Sequence, residues 1–229
     1  MRAAGANIIG ATNLSEWANI RSGKSTSGWS AVGGLTANPW KHAHSAGGSS
    51  SGSGSAVGAD YVDKAWKQIK KGMVPVLNKL KDEDPWLLLE PTAGQGQSLV
   101  KKLDDLLHYF EALEWHPKVG VCLDTCHVFA AGHDIAKKGG MTETLDLLVK
   151  LVGIERIKLI HTNDSMDVCG ALKDRHQNLG DGEIGLKAFE ELLAHPVAQN
   201  APLILETPGM EEKHGEEIAL LSKMRAKIK

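Results

Sequence analysis

Hydrophobic residues follow two alternating patterns from about residue 60 onward. Five stretches repeat apolar residues at three- and four-residue steps, which predicts amphipathic helices. These stretches are residues 62–80, 99–113, 145–152, 186–193 and 218–224. Four short apolar runs of the kind found in buried parallel strands lie between them. The runs are residues 86–89, 119–123, 157–160 and 203–205. Pro75 is expected to kink or end the first helix.

Strand and helix thus alternate four times, and the short connections favour right-handed βαβ units and a parallel α/β sheet. Four such units amount to half of an eight-stranded (β/α) barrel. Either residues 1–56 contain further strands that the pattern does not reveal, or the barrel is incomplete. We therefore expect an α/β fold of the TIM-barrel type in which the C-terminal four βα units are clear and the N-terminal half is missing or divergent.

The N-terminal quarter of the chain lacks a sustained hydrophobic period. From Ser45 to Ser55, ten of eleven residues are Gly or Ser, the composition of a flexible linker. We therefore expect two regions. Residues 1–56 form a poorly structured, Gly/Ser-rich segment, and residues 57–229 form a partial barrel domain.

Composition and charge mainly exclude classes of protein. The 229 residues are 42% hydrophobic, and their formal charge of −2 provides no overall basic field for nucleic acid. Three cysteines without a disulfide-framework spacing fit a reducing compartment. The N-terminus has no apolar core of signal-peptide length, and no stretch approaches a membrane span. We expect a cytoplasmic protein, or a nuclear one in a eukaryote, that is not secreted.

Potential metal ligands stand at or just after the predicted strand ends. They are Glu90, Asp124, His127, His161, Asp174, His176 and Glu206. Because the carboxyl ends of parallel strands share one edge, these side chains should converge, and their carboxylates would repel one another without cations. Carboxylate and imidazole ligands without a thiol pair favour zinc or manganese. Cys126 is better explained as a small buried residue than as a ligand.

Two glycine-containing loops and one basic pair leave alternatives open. The loops Gly94–Gly96 and Gly180–Gly182 could bind phosphate through backbone amides, or their glycines could only permit turns. Lys173 and Arg175 flank Asp174. Beside a metal cluster we favour phosphate contact for this pair over a solvated face.

Several motifs resemble a known enzyme family in order and spacing from about Trp66 to the C-terminus. They read EPTAGQGQSL, GVCLDTCHVFAAGHD, HTNDS, DRHQNLGDGEIGLKAF and PLILETP. These motifs are similar to those of the endonuclease IV family of abasic-site endonucleases. The resemblance implies a (β/α) barrel, three zinc ions, and hydrolysis of the phosphodiester 5′ to an abasic site in double-stranded DNA, leaving a 3′-hydroxyl. It also implies a role in base excision repair. The sequence makes no obligate protein partner evident.

The resemblance also implies roles for individual residues. Glu90 would bridge two metals, Asp124, His161 and Glu206 would complete the second site, and His127, Asp174 and His176 would hold the third. The carboxylates of Glu90, Asp124 and Glu206 would be catalytic, and Asn163, Lys173 and Arg175 would contact DNA or phosphate. The segment WKHAHSAGGS makes His44, ahead of His42, the candidate ligand of the first metal, and no second histidine of that pair is found. We therefore expect two well-supported zinc sites and a doubtful third, with Mn²⁺ as a possible substitute.

Two other interpretations remain open. A barrel-type sugar isomerase would also surround its site with Glu, Asp and His, although the pair Asp174 and His176 is unexpected there. A non-catalytic or weakly active remnant would bind zinc or DNA after losing its first metal. The histidines of the first metal site separate this remnant from a complete enzyme.

Overall fold

In a computed structural model of the protein, residues 62–96 and 98–228 are described, together with four short strands between residues 29 and 45. The chain divides into two compact units, Met1–Val76 and Leu77–Lys229. The predicted boundary between residues 56 and 57 lies outside the described residues, so it stays a prediction. The poor structure predicted for residues 1–56 also stays a prediction, because the four short strands are the only part of this segment that is described.

The first unit contains two small antiparallel pairs of strands. β1 (Trp29–Ser30) pairs with β2 (Gly34–Leu35), and β3 (Ala37–Asn38) pairs with β4 (Lys41–Ser45). Helix α1 (Val62–Leu77) follows them in the chain. Pro75 lies inside α1, which ends two residues later, as the sequence predicts.

The second unit repeats strand and helix along the chain. Its strands are β5 (Leu87–Leu89), β6 (Val119–Asp124), β7 (Ile157–His161), β8 (Asp164–Ser165), β9 (His176–Gln177) and β10 (Leu203–Ile204). Its helices are α2 (Leu106–Ala112), α3 (Thr125–Ala130), α4 (Gly140–Val152), α5 (Leu186–Ala194), α6 (Val197–Asn200) and α7 (Met210–Lys227). Short 3₁₀ turns at Leu103–Asp105 and Ile154–Arg156 precede α2 and β7.

The central sheet contains four parallel strands in the order β10–β7–β6–β5. Strands consecutive in the chain, apart from the small β8–β9 pair, are thus neighbours in the sheet, as successive βα units of a barrel require. Leu123 in β6 lies opposite Ile160 in β7, which in turn lies opposite Leu203 in β10. All six residues of β6 are buried, so the apolar core is centred on this strand.

Helices pack beside one another outside the strands. α4 contacts α5, and α5 contacts α7. The largest fully buried side chains include Phe110, Leu123, Leu145, Leu148 and Phe189. This alternation of buried strands and covering helices confirms the predicted parallel α/β architecture of the C-terminal four units.

Three short elements escape the hydrophobic pattern. α3, α6 and the antiparallel pair β8–β9 are too short for apolar periodicity to mark them. The helix predicted over residues 99–113 is also shorter, because its first turn is 3₁₀ and the α-helix begins at Leu106. The Asp105 carboxylate accepts hydrogen bonds from the amides of Lys101 and Lys102 at 3.0 Å and so holds the chain out of the helix at that point. Among the described helices, none has the length and apolarity to cross a membrane.

Candidate metal centre

Four strands bring polar residues to one edge of the sheet. Asp124 and His161 end β6 and β7, Glu90 directly follows β5, and Glu206 lies two residues after β10. The His161 imidazole is central, since its Nδ1 lies 3.0 Å from Glu90 Oε1 and 3.1 Å from Glu206 Oε2. It also lies 3.8 Å from Asp124 Oδ2. We call these four residues the strand-end cluster.

Three further residues form the loop cluster, which is defined by His127, Asp174 and His176. His127 lies on α3, whose N-cap is Asp124, and His176 lies in β9. Asp174 Oδ1 is 3.4 Å from His127 Nε2 and 3.2 Å from His176 Nε2. The structure therefore brings together all seven residues predicted as second- and third-site ligands.

Two members of the strand-end cluster, Asp124 and Glu90, also approach the loop cluster. Asp124 Oδ2 is 3.4 Å from His176 Nε2, and Glu90 Oε1 is 3.6 Å from His127 Nδ1. One ligand atom each of Asp124, His161 and Glu206 falls within 4.8 Å of the others, and the same holds for Asp124, His127 and His176. Asp124 can thus belong to two adjacent cation sites.

The chemistry of these side chains fits a metal ion. The buried His176 Nε2 has no hydrogen-bond partner among the described residues, although two carboxylates lie near it. A ring nitrogen in that setting is suited to coordination. Cys122 and Cys126 also lie beside the clusters. Cys126 is fully buried, as the sequence interpretation expects, and burial raises the pKa of its thiol to about 12.

Neighbouring carboxylates, and at His161 also a cysteine, raise the pKa values of the imidazoles. Burial lowers the pKa of His127, but Asp124, Asp174 and Glu90 outweigh it and raise that pKa to about 9. Hydrogen bonds with Cys122 and then Glu90 raise the pKa of His161 to about 11. Burial would raise the pKa of Asp174, but the neighbouring imidazoles of His127 and His176 hold that pKa well below its usual range. In the metal-free protein, His127 and His161 therefore carry a proton at neutral pH, and a bound cation would have to displace it.

The three residues predicted to contact DNA differ in exposure. Lys173 Nζ lies 3.2 Å from Asp167 Oδ1, and Arg175 Nε donates to Asp167 Oδ2 at 2.6 Å. Both basic side chains are about half exposed, so a phosphate would compete with Asp167 for them. Asn163 is fully buried, and its side-chain amide donates a hydrogen bond to Asp124 and accepts one from the backbone N–H of Glu206. These contacts favour a positioning role for Asn163 over contact with DNA.

A buried carboxylate occupies the amides of the second glycine loop. Asp164 Oδ1 accepts from Ser165 N and Ile184 N at 2.8 Å, and Oδ2 accepts from Gly180 N at 2.9 Å and Gly185 N at 3.2 Å. A Cβ at Gly182 would lie only 2.5 Å from Asp164 Oδ1. This loop therefore wraps around Asp164, and at Gly180–Gly182 the structure favours the turn interpretation over phosphate binding.

The first glycine loop also has turn geometry. Gly94 and Gly96 have φ of +82° and +61°, in the left-handed region that favours glycine. Gly94 N donates to Thr92 Oγ1 at 3.3 Å. Phosphate binding by Gly94–Gly96 stays a prediction. His44 lies in β4, and its side chain is outside the described part of the chain, so its role as a ligand also stays a prediction.

Sequence reasoning missed two residues that organise the centre. Asp164 holds the loop that follows His176, and the Thr125 hydroxyl accepts from Asn163 N at 2.8 Å and donates to Asn163 O at 2.6 Å. Both lie inside the quoted motifs, in HTNDS and in DTCH, beside the predicted ligands. Motif membership was the available signal, but it does not separate a ligand from the residue that holds it.

Comparison with known proteins gives two family matches. A family model described as "Xylose isomerase-like TIM barrel" matches residues 42–224, and one described as "Amidase" matches residues 1–66. The N-terminal quarter is thus similar to a different family from the rest, and the two matches overlap at residues 42–66.

Individual relatives agree with the first match. Proteins named "Probable endonuclease 4" from Streptomyces coelicolor and Streptomyces avermitilis are each 54% identical over 173 residues, or 75% of this chain. The chain covers only 59% and 56% of their lengths. The crystal structure of endonuclease IV from Thermus thermophilus matches with a TM-score of 0.59 and 31% identity, covering 69% of this chain and 57% of that one.

The role of Asp164 generates a stability prediction. We expect Asp164→Asn to lower the free energy of unfolding by about 2–4 kcal/mol, because the new amide would face the donors Gly180 N and Gly185 N and leave them unpaired. Urea denaturation of the metal-free protein measures the change. Asp181→Asn, an exposed change in the same loop, is the matched control and should have little effect. Equal stability of the two variants would contradict the buried-anchor role.

The raised histidine pKa values generate a pH prediction. A folded-state pKa above the unfolded value of about 6.5 stabilises the fold below that pH, and the contribution is lost as pH rises through the folded value. We expect the free energy of unfolding of the metal-free protein to fall between about pH 6.5 and pH 9 as His127 loses its proton.

To measure this change, chelator-treated protein is denatured with urea at pH 7 and pH 9. His127→Gln should weaken this dependence, whereas His108→Gln, at an exposed position, should retain it. Identical pH profiles for wild type and His127→Gln would refute the assignment.

Proposed function

Because this chain belongs to the xylose isomerase-like TIM barrel family, we propose that it is a zinc-dependent DNA repair endonuclease of the endonuclease IV type. The reaction would be hydrolysis of the phosphodiester 5′ to an abasic site in double-stranded DNA, leaving a 3′-hydroxyl. The names of the Streptomyces and Thermus relatives support a nuclease, and the motif resemblance supports the abasic site as its substrate. The chain spans about half to three-fifths of the length of these relatives, so this activity is proposed from a partial match.

One observation carries the proposal: the strand-end and loop clusters meet at Asp124. Four carboxylates and three imidazoles within such a small volume are suited to two adjacent divalent cations. Asp124, His161 and Glu206 would hold one ion and His127, Asp174 and His176 the other. Glu90, which lies 3.0 Å from His161 and 3.6 Å from His127, would be within reach of both. A bound zinc ion would supply Lewis acidity and a hydroxide at neutral pH, by lowering the pKa of its water from about 15.7 toward about 7.

The three proposed catalytic carboxylates differ in what they can do. Asp124 is fully buried, and its oxygens accept from His127 N at 2.9 Å and Asn163 Nδ2 at 2.8 Å. It is suited to holding a cation. The side chains of Glu90 and Glu206 are 35% and 44% exposed, so they can meet a substrate and accept a proton from the attacking water.

Charge and substrate chemistry support a DNA phosphate as ligand. The positive charges of two zinc ions would balance the negative charges of the four carboxylates in the clusters. A phosphate would therefore bind through open coordination positions on the metals and through Lys173 and Arg175. An abasic nucleotide has no base to unstack. Rotating it out of the duplex therefore costs less than flipping an intact nucleotide, which gives a source of selectivity.

The N-terminal region is proposed to lie outside this catalytic domain. Residues 57–229 contain all seven clustered residues, and residues 1–41 are matched by the amidase family model but not by the barrel family model. His44 remains the candidate ligand of the first metal site, for which the sequence offers at most one of the two expected histidines. Lacking a complete first site, the protein is expected to cleave more slowly than a complete family member.

The first prediction from this proposal concerns metal content. We expect close to two tightly bound zinc ions per folded chain, because two ligand sets converge, with a third ion weak or absent. Metal analysis after gel filtration, followed by zinc titration of chelator-treated protein, measures the number. A folded preparation that takes up no zinc would reject the metal centre.

The second prediction concerns activity. The purified protein should incise a duplex containing one abasic site in the presence of zinc or manganese and leave the intact duplex uncut. Asp124→Ala and Glu206→Ala should each abolish incision, because either change removes a carboxylate from the strand-end cluster. Glu190→Ala, an exposed glutamate on α5, is the matched control and should retain wild-type activity.

Two outcomes would favour other interpretations. Incision unchanged in both cluster variants would reveal a contaminating nuclease and reject the assignment. Two bound zinc ions without incision at high protein concentration would favour a non-catalytic remnant of the family.

A further inference from the structure

Asn163 lies in the segment after β7, the strand between β6 and β10 in the sheet. Its side-chain Nδ2 donates to Asp124 Oδ2 at 2.8 Å, and its Oδ1 accepts from Glu206 N at 2.8 Å. One amide thus links the ends of the two strands that flank its own. We propose that Asn163 is a positioning residue that orients Asp124 and Glu206 for metal binding, an inference that rests on the proposed function.

The contacts of Asp124 explain why its orientation matters. Its Oδ1 accepts from His127 N at 2.9 Å, and its Oδ2 accepts from Asn163. These two bonds determine the rotation of the carboxylate and leave Oδ2 within 3.8 Å of His161 and 3.4 Å of His176. The same oxygen therefore faces a histidine of each cluster, and a small rotation would change both sites.

The contact with Glu206 acts on the backbone. β10 ends at Ile204, so Glu206 lies beyond the last residue that the sheet holds. The bond from Glu206 N to Asn163 fixes the chain at that point, and the Glu206 carboxylate then lies 3.1 Å from His161. Glu206 O, on the same residue, lies 3.2 Å from His176 Nδ1. Fixing this residue therefore also supports a ring in the loop cluster.

Asn163 is itself held rigidly. It is fully buried, and its backbone N–H and C=O both bond the Thr125 hydroxyl, at 2.8 Å and 2.6 Å. An amide is required because the site needs a donor toward Asp124 and an acceptor toward Glu206. An aspartate would keep the acceptor but place a second negative charge against Asp124, and an alanine would provide neither group. Hydrogen bonds that orient metal ligands commonly contribute about 10- to 100-fold in metal affinity.

Two substitutions test the positioning role by metal binding. Asn163→Asp preserves size and the acceptor while removing the donor, and Asn163→Ala removes both. Asn178→Ala is the matched control, because the Asn178 amide donates to Pro208 O at 2.7 Å and so contacts the same segment without touching a ligand. Zinc affinity is measured by competition with a chromophoric chelator, and Co²⁺ absorption reports the coordination geometry. Urea denaturation of the metal-free proteins shows whether each variant folds.

We expect both Asn163 variants to bind at least one zinc about 10- to 100-fold more weakly than wild type and to show an altered Co²⁺ spectrum. Asn178→Ala should retain the wild-type affinity and spectrum. If Asn163→Ala does not fold, the near-isosteric Asn163→Asp still decides the question. Wild-type zinc affinity and spectrum in a folded variant, even one with lowered metal-free stability, would overturn the positioning role.

The outcomes separate this inference from the proposed reaction. Weakened zinc binding in the Asn163 variants, together with no incision by wild type, would support the positioning role and overturn the reaction. Unchanged zinc binding in these variants, together with incision that Asp124→Ala abolishes, would support the reaction and overturn the positioning role. A wild-type protein that binds no zinc would overturn both.

Discussion

Repulsion among carboxylates at one edge of a parallel sheet is the constraint on which the rest of this centre depends. Parallel strands end at the same edge, so Glu90, Asp124 and Glu206 must lie close together once β5, β6 and β10 form. Three imidazoles offset part of this negative charge, and neighbouring carboxylates raise the pKa values of His127 and His176 against the effect of burial. Divalent cations would offset it more completely, which is why the proposed function requires metal.

Buried carboxylates in this protein are stabilised in two different ways. Asp164 accepts hydrogen bonds from four backbone amides, three of which belong to the loop after His176, so it stabilises that loop. Asp124 accepts one backbone amide and one side-chain amide, and its Oδ2 also faces His161 and His176. The number of donors around each carboxylate therefore separates a structural residue from a candidate ligand, although both are fully buried.

The basic residues show why local sequence is a weak guide to phosphate contact. Lys173 and Arg175 flank a candidate ligand, which favours a role at the phosphate. In the folded protein both pair with Asp167, and the hydrogen bonds from Arg175 and Lys173 are among the causes that lower the pKa of that carboxylate to about 2. Asp167 lies six and eight residues away in the chain, and the turn between β8 and β9 brings it to them. A phosphate must therefore displace an internal partner or share these side chains with it.

The sequence by itself determined the four βα units and the seven candidate ligands, because hydrophobic periodicity and strand-end position are local properties of the chain. It also carried the family resemblance through contiguous motifs. Only the tertiary structure decided that Asn163 hydrogen-bonds both Asp124 and Glu206. The same holds for the hydrogen bond from Gly180 N to Asp164 and for the approach of Asp124 to His176 in the loop cluster. These contacts join residues 16 to 52 positions apart. They depend on how neighbouring strands align and on which way each side chain turns at the strand end, and neither is written in the local pattern of residues.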